Sequence, residues 1–215
     1  GTVSGTSISF GTAVVYSSGF GYNNSAIFDS TNNKVVIAYA AVDASYYGRA
    51  RVGTVSGTSI SFGTEVVFNS ANTLSQIGST FDSNANKVVL AYRDTGNSDY
   101  GTAIVGTVSG TSISFGAEAV FESASTTYIS SAFDSNANKV VIVYRDGGNA
   151  DSGTAVVGTV SGTEISFGTP VVFNGDSSYF APVYDPTAKK IVISYRDDAG
   201  SGYGTMISAT VSGTS

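Results

Sequence analysis

One tripeptide carries the first candidate chemistry in this chain. It occurs as Tyr92-Arg93-Asp94, Tyr144-Arg145-Asp146 and Tyr195-Arg196-Asp197, and becomes Tyr39-Ala40-Ala41 near the start. Three guanidinium groups (Arg93, Arg145 and Arg196) gathered at one rim could hold a carboxylate or phosphate by bidentate hydrogen bonds. The alternative is structural: each Arg pairs with a neighbouring Asp and rivets adjacent sheets. Tyr47, Tyr100 and Tyr203 each precede a glycine, with Ser152 at the equivalent place in the third repeat. Flat amphipathic rings beside Asn, Asp and Ser suit stacking on sugars, and Tyr100 and Tyr203 are the candidates for exposed contacts. Phe20, Tyr22, Tyr128, Tyr179 and Phe180 add aromatics near the other loops, with Phe20 and Phe180 expected to cap the core.

The segments "DTGNSDYG" and "DGGNADSG" cluster oxygen ligands around glycine turns. Asp94, Asn97 and Asp99, with Asp146, Asn149 and Asp151, form a candidate set for a hard cation such as Ca2+. The acidic twelfth-position anchor of an EF-hand is missing, and Asp and Asn favour such turns on their own account. No other cofactor is implied.

What is absent narrows the chemistry. The chain has no His and no Cys, which removes the commonest general base and all thiolate chemistry. Glycoside hydrolysis usually needs two carboxylates in differing environments. Here the only glutamates are Glu65, Glu118, Glu122 and Glu164, on or beside outer strands, and most Asp recur symmetrically. The expectation is therefore a protein that is not an enzyme. A net charge of −6 argues against nucleic acid or an anionic membrane as partner. No apolar run approaches the ~20 residues of a membrane helix. Charged residues are only 12 % of the chain, and polarity comes from Ser, Thr, Asn and 26 Gly. That composition is common in extracellular, virion or cell-surface β proteins.

These residues are positioned by a repeat. "GTVSGTSISF" starts at residues 1, 53 and 106, returns at 158 as "GTVSGTEISF", and begins again at Ala209 as "ATVSGTS". The chain divides into repeats 1–52, 53–105, 106–157 and 158–209 with a partial repeat 210–215, read as one domain. A period near fifty with alternating β patterns marks stacked sheets or propeller blades. In the second repeat the expected strands are Ile77 to Asp82, Lys87 to Asp94, Gly101 to Gly110 and Ser112 to Phe121, joined by "SNAN", "TGNSDY" and a Ser109–Gly110 turn. "VVLAY", "VVIVY" and "IVISY" need cover on both faces and belong inside a sheet. The alternating "SISF" strand belongs at the outer edge. The small-residue strand fits the crowded centre, where Pro182 marks an edge.

"FDSNANKVVIVYRD" (Phe133 to Asp146) resembles the inner hairpin of β-propeller repeats in sialidase-like and bacterial or phage surface proteins. The Ser-x-Asp-x-Gly-x-Thr-Trp box of sialidases does not occur, and the chain has no Trp. The resemblance implies an all-β, four-bladed propeller of four-stranded antiparallel blades. Pairing of the N-terminal outer strand (Ser7 to Tyr16) with the last third strand would close the ring. A strand-exchanged homo-oligomer, excision from a longer array, and a designed symmetric protein stay open beside the closed monomer. In this layout "SNAN" and "SGT" lie at one end. The longer loops lie at the other: Ser17 to Asn24, Asn69 to Gln76, Glu122 to Tyr128, Asn174 to Tyr179, and those after each "YRD". The expected function is non-enzymatic, multivalent recognition of a glycan or cell-surface receptor through that end. A ligand-free scaffold and a sialidase-like glycosidase are the alternatives.

Overall fold

The computed structural model describes residues 1–42, 46–73 and 76–214. Among them there is no α-helix, only strands, turns and one 3-10 turn at Thr95–Asn97. β1 (Thr2–Ser4) and β2 (Ser7–Ser9) form a small hairpin. The first sheet holds β3 (Phe20–Asp29), β4 (Lys34–Val42), β5 (Tyr47–Ser56), β6 (Ser59–Phe62) and β7 (Val66–Asn72). The second holds β8 (Gly78–Asp82), β9 (Lys87–Asp94), β10 (Tyr100–Ser109), β11 (Ser112–Phe115) and the first half of β12 (Ala119–Asp134). The third takes the second half of β12, then β13 (Lys139–Asp146), β14 (Ser152–Ser161), β15 (Glu164–Phe167) and the first half of β16 (Val171–Asp185). The fourth is the rest of β16 with β17 (Lys190–Asp197) and β18 (Tyr203–Ala209). All ladders are antiparallel. Because β12 and β16 each serve two of them, β8 to β18 are hydrogen-bonded as one sheet of 11 strands.

Local sequence explains the turns. Asp82 Oδ1 accepts the amides of Asn84 (2.9 Å) and Ala85 (2.8 Å), and Asn86 takes a left-handed φ of 55°. Asp29, Asp134 and Asp185 do the same in the other repeats. A short polar side chain that satisfies the turn amides, followed by a residue in the αL region (Asn33, Asn86 and Asn138, with Lys189 in the fourth repeat), closes these hairpins. At the same end, Gly110 (φ +60°) and Thr111 form the two-residue turn between Ser109 and Ser112.

Two strand expectations change. Ser112 to Phe121 is not one strand: β11 pairs with the C-terminal half of β10 and β12 with its N-terminal half. The break falls at Gly116–Glu118, where Glu118 turns its carboxylate to the Tyr92 hydroxyl at 2.7 Å. Glu122 to Tyr128 and Asn174 to Tyr179 are not loops. They are strand, and they carry the chain from the outer ladder of one sheet into the inner ladder of the next. No glycine or proline interrupts Ala119–Asp134, so nothing in it forces a turn.

The sheets pack on one another through their faces. Val36, Ala38, Ala50 and Val52 of the first meet Val88, Leu90, Tyr92 and Ile104 of the second. Val89, Ala91, Ala103 and Val105 then meet Val140, Ile142, Tyr144 and Val156 of the third. Val141 and Val143 meet Ile191, Ile193 and Tyr195 of the fourth. The small residues of the inner strands allow close approach, as expected. Ser25 Oγ lies 2.6 Å from Ser79 Oγ, and a Cβ built on Gly78 would stand 2.9 Å from the Ser130 Cα. Pro182 pairs with Ile193 on the inner strand of the fourth sheet, on an edge that needs no donor.

The expected ring closure is not made. β1 pairs with β2, β18 pairs with β17, and the N-terminal strand does not pair with the last third strand. β3 packs against β8 and β9 of the second sheet. Tyr16, which follows the N-terminal hairpin, stacks on Tyr39 (5.0 Å) and Phe62 (6.3 Å) of the first sheet. That contact commits the N-terminal segment to the end of the molecule where the first sheet stands. Phe20, expected to cap the core, is exposed there, because no complete sheet covers that face; Phe180 is buried as expected.

Candidate functional site

The Tyr of each tripeptide, rather than the Arg, joins neighbouring sheets. Phe68 stacks on Tyr92 (5.1 Å), Phe121 on Tyr144 (5.1 Å) and Phe173 on Tyr195 (5.4 Å). Each Phe lies on the strand that carries the chain toward the next sheet, and each Tyr belongs to that next sheet. A glycine makes room: a Cβ on Gly101 would stand 2.4 Å from the Phe121 ring. The hydroxyls of Tyr92 and Tyr144 donate to Glu118 (2.7 Å) and Glu122 (3.0 Å). Burial, reinforced by those carboxylates, pushes both phenols far above their ordinary range.

The arginines are paired locally. Arg93 Nε lies 3.1 Å from Asp99 Oδ1, a charge contact without hydrogen-bond alignment. Arg145 Nη2 contacts Asp151 Oδ2 (3.0 Å) and donates to Asp176 Oδ1 (2.8 Å). Arg196 Nε is in contact with Asp198 Oδ1. Asp99, Asp151 and Asp198 belong to the connection after each arginine's own strand. Only Asp176 lies where β16 passes from the third sheet to the fourth.

Register separates the expected aromatics from the arginines. Tyr100 opposes Asp94 while Gly101 opposes Arg93, and Tyr203 opposes Asp197 while Gly204 opposes Arg196. Opposed residues share a face and neighbours on a strand alternate, so Tyr100 and Tyr203 stand on the faces opposite Arg93 and Arg196. Tyr203 is 71 % exposed and Tyr100 half-buried.

The aromatics that do join the arginines are Tyr128 and Tyr179. Each sits in a bulge, after Thr127 opposite Arg145 and after Ser178 opposite Arg196, with φ of 52° and 57°. A left-handed backbone is rare for a bulky residue and costs on the order of 1–3 kcal/mol. The two rings lie 4.7 Å apart, Arg145 stands 6.0 Å from the Tyr128 centroid, and Arg196 5.5 Å from that of Tyr179. A hydrogen bond between the phenols, with a smaller contribution from burial, raises the Tyr128 pKa. Ser178 Oγ donates to Asp198 Oδ2 at 2.6 Å; that bond, with Arg196 beside it, lowers the Asp198 carboxyl. Tyr179 is 55 % exposed and Arg196 is 51 % exposed at the side chain. The equivalent positions in the first and second repeats are Asn23 and Gln76, so this shelf forms once.

The six candidate cation ligands are divided among other tasks. Asp94 and Asp146 each accept a backbone amide, from Gly96 and Gly148, both at 2.9 Å. Asp99 and Asp151 face the arginines. Asn97 ends the 3-10 turn, and the Asn149 carbonyl accepts the Ser152 amide at 3.1 Å. Among the described residues no group of three or more carboxylates converges as a metal site would. The loop end expected to carry function extends into Asp43 to Ser45 and Leu74 to Ser75, which lie outside the described residues.

No family model matches this sequence, and no curated protein matches it. Among solved structures, "NanB plus Optactamide", a sialidase chain, superposes with a TM-score of 0.57 at 14 % identity. The likeness is one of fold. It covers 88 % of this chain and 30 % of that one, so this chain spans under a third of its structural neighbour. The repeated all-β sheets expected from the sequence thus have a counterpart in a sialidase-like β architecture.

Proposed function

We propose that the four sheets are successive blades of a β-propeller arc and that the arc is a non-catalytic recognition module at a cell or virion surface. Its contact site is the Tyr128–Tyr179 shelf, and its ligand class is a neutral, hydroxyl-rich saccharide. The observation that carries this reading is the pair of bulky rings held at left-handed φ beside two guanidiniums. The bulge itself recurs in the first repeat, where Asn23 takes the same left-handed φ of 53°; a bulky ring kept where asparagine fits more easily supports a task other than folding. Exposed ring faces stack on sugar C–H surfaces, while Asp176, its side chain 42 % exposed, can meet hydroxyls at the border. Arg145 and Arg196 already face carboxylates, which favours an uncharged ligand over an anion. Three of the four glutamates that a hydrolase would draw on are engaged as well: Glu65 with Tyr39 and Arg49, Glu118 with Tyr92 and Glu122 with Tyr144, while Glu164 is exposed on β15.

Glycan-array screening followed by calorimetric titration of the best neutral saccharide tests the reading. Tyr179→Gly should abolish binding. It should also leave the melting temperature unchanged or raised, because glycine accepts a φ of 57° without strain. Unchanged binding in that variant, or a chain that binds no saccharide, would overturn the proposal.

A further inference from the structure

Among the described residues, the junction of the third and fourth sheets lacks a part that the earlier junctions have. Ile113 of β11 lies in the first junction with Phe115 packed against it, and Ile165 of β15 lies in the second with Phe167. Each outer strand thus sends an Ile-x-Phe pair between the sheets. In the third junction Val211 is present, and no such pair stands there among the described residues. A cavity of ≈ 140 Å³ stands there instead, lined by Val141, Val157, Val171, Ile207, Ala209 and Val211 among others. Beside it the outer edge of β18 has no ladder partner among the described residues.

The same chain holds an unused Ile-x-Phe pair. Ile8 of β2 is 56 % exposed and Phe10 is 77 % exposed. The segment that follows is tied to the first sheet, by Tyr16 on Tyr39 and by Gly11 against the Thr58 carbonyl. Donor and acceptor therefore stand at opposite ends of one row of sheets.

We propose that the β18 edge accepts the Ile8-x-Phe10 strand of a second copy of this chain. The register follows from the third sheet, where Gly158 opposes Phe167 and Val160 opposes Ile165. By the repeat, Ala209 then faces Phe10 and Val211 faces Ile8 of the other copy, and the two apolar side chains fill the cavity. The contact is head-to-tail, so each copy offers one donor and one acceptor. It closes a ring of copies when the rotation permits and extends otherwise. The occupant is chemically matched, since identical Ile and Phe residues already fill the equivalent space at two other junctions. Several shelves per assembly would then supply the avidity that one shelf per chain lacks.

Light scattering after size exclusion, run over a concentration series, tests this on the 215-residue chain. The expected mass is a multiple of 21.9 kDa. The donor variant Ile8→Asp with Phe10→Asp changes only exposed side chains, so it should fold normally and run as a monomer. Its apparent dissociation constant should rise by about tenfold or more. The acceptor variant Ala209→Glu should behave alike. Mixing the two variants should give a 1:1 pair and nothing larger, because only one joint remains usable. A wild-type monomer at every concentration, including one that closes on its own N-terminus, would overturn the proposal. So would an assembly that survives the donor substitutions.

Discussion

Four glycines offer the sharpest test of how the sheets stand against each other. Gly63, Gly116 and Gly168 follow the outer strand positions of successive repeats, and Gly11 precedes them in the same role. None has a positive φ, so alanine is sterically allowed by the backbone at each. Without a neighbour, Gly→Ala should stabilise by about 0.4–1 kcal/mol through the unfolded chain. The neighbour reverses the sign. A Cβ on Gly116 would stand 2.0 Å from the Thr163 carbonyl oxygen, and one on Gly63 would stand 1.8 Å from that of Thr111. Both acceptors sit in two-residue turns clamped by ladders of the next sheet, so the turn cannot step aside. Overpacking of this kind costs roughly 1–3 kcal/mol, for a net loss of about 1–2 kcal/mol after the entropic gain. In a chain of this size that lowers the melting temperature by about 2–8 °C. Gly168 has the same close approach, 1.7 Å to the Thr214 oxygen, but Thr214 belongs to no ladder and can give way. Scanning calorimetry should therefore rank Gly63→Ala and Gly116→Ala as clearly destabilised and Gly168→Ala as near neutral. A raised melting temperature in Gly116→Ala would refute the stacking of second sheet on third.

Three further outcomes follow from contacts already described. Phe121→Ala should cost about 3–5 kcal/mol in chemical denaturation, whereas Arg145→Ala should cost about 1 kcal/mol or less because that pair is partly solvated; equal losses would reinstate the arginine as the joint between sheets. Burial raises the Tyr92 and Tyr144 phenols above their ordinary value of 10.0, so the fold favours their neutral form. That stabilisation is complete below pH 10 and lost as pH rises from there through the folded values; melting temperatures followed to about pH 12 should fall above pH 10, and a flat profile would contradict the burial. Asp134→Ala removes the acceptor of two turn amides, Asn136 and Ala137 at 2.9 Å each, and should cost about 1–3 kcal/mol by denaturant titration, with no loss pointing to a turn held by backbone alone.

Much of the architecture was readable because the repeat fixes which residues recur and turn chemistry is local. β9 runs from Lys87 to Asp94, the bounds its apolar run implied, and the Asp82–Asn86 turn follows from one carboxylate and one asparagine. The inner position of the small-residue strand followed from Gly78 and Ser79, which alone permit backbones this close. What escaped depends on distant partners. The break at Gly116–Glu118 is set by Thr163 and Tyr92, one in the next sheet and one two strands away in the same sheet. Ring closure was inferred from matching phrases, but the Tyr16 ring prefers the first sheet.

The candidate site was only partly legible. Arg145 and Arg196 do lie at the shelf, but Tyr100 and Tyr203 do not share their face, which only the pairing register reveals. Tyr128 and Tyr179 were legible only as two of several loop aromatics, beside Phe20, Tyr22 and Phe180, since nothing in a tyrosine announces a left-handed backbone. What sets them apart in the sequence is their common place, five residues before Phe133 and Tyr184.

A pair of cysteines placed in a chain that has none tests the central claim most directly, that successive repeats stand side by side with their inner strands in contact. Ser25 Oγ and Ser79 Oγ are 2.6 Å apart across the first and second sheets, close to the S–S bond length of about 2.05 Å. Ser25→Cys with Ser79→Cys should form an intramolecular disulfide on mild oxidation, read as loss of two hydrogens in intact mass and protection from alkylation. Two freely alkylated thiols in the folded monomer would contradict it.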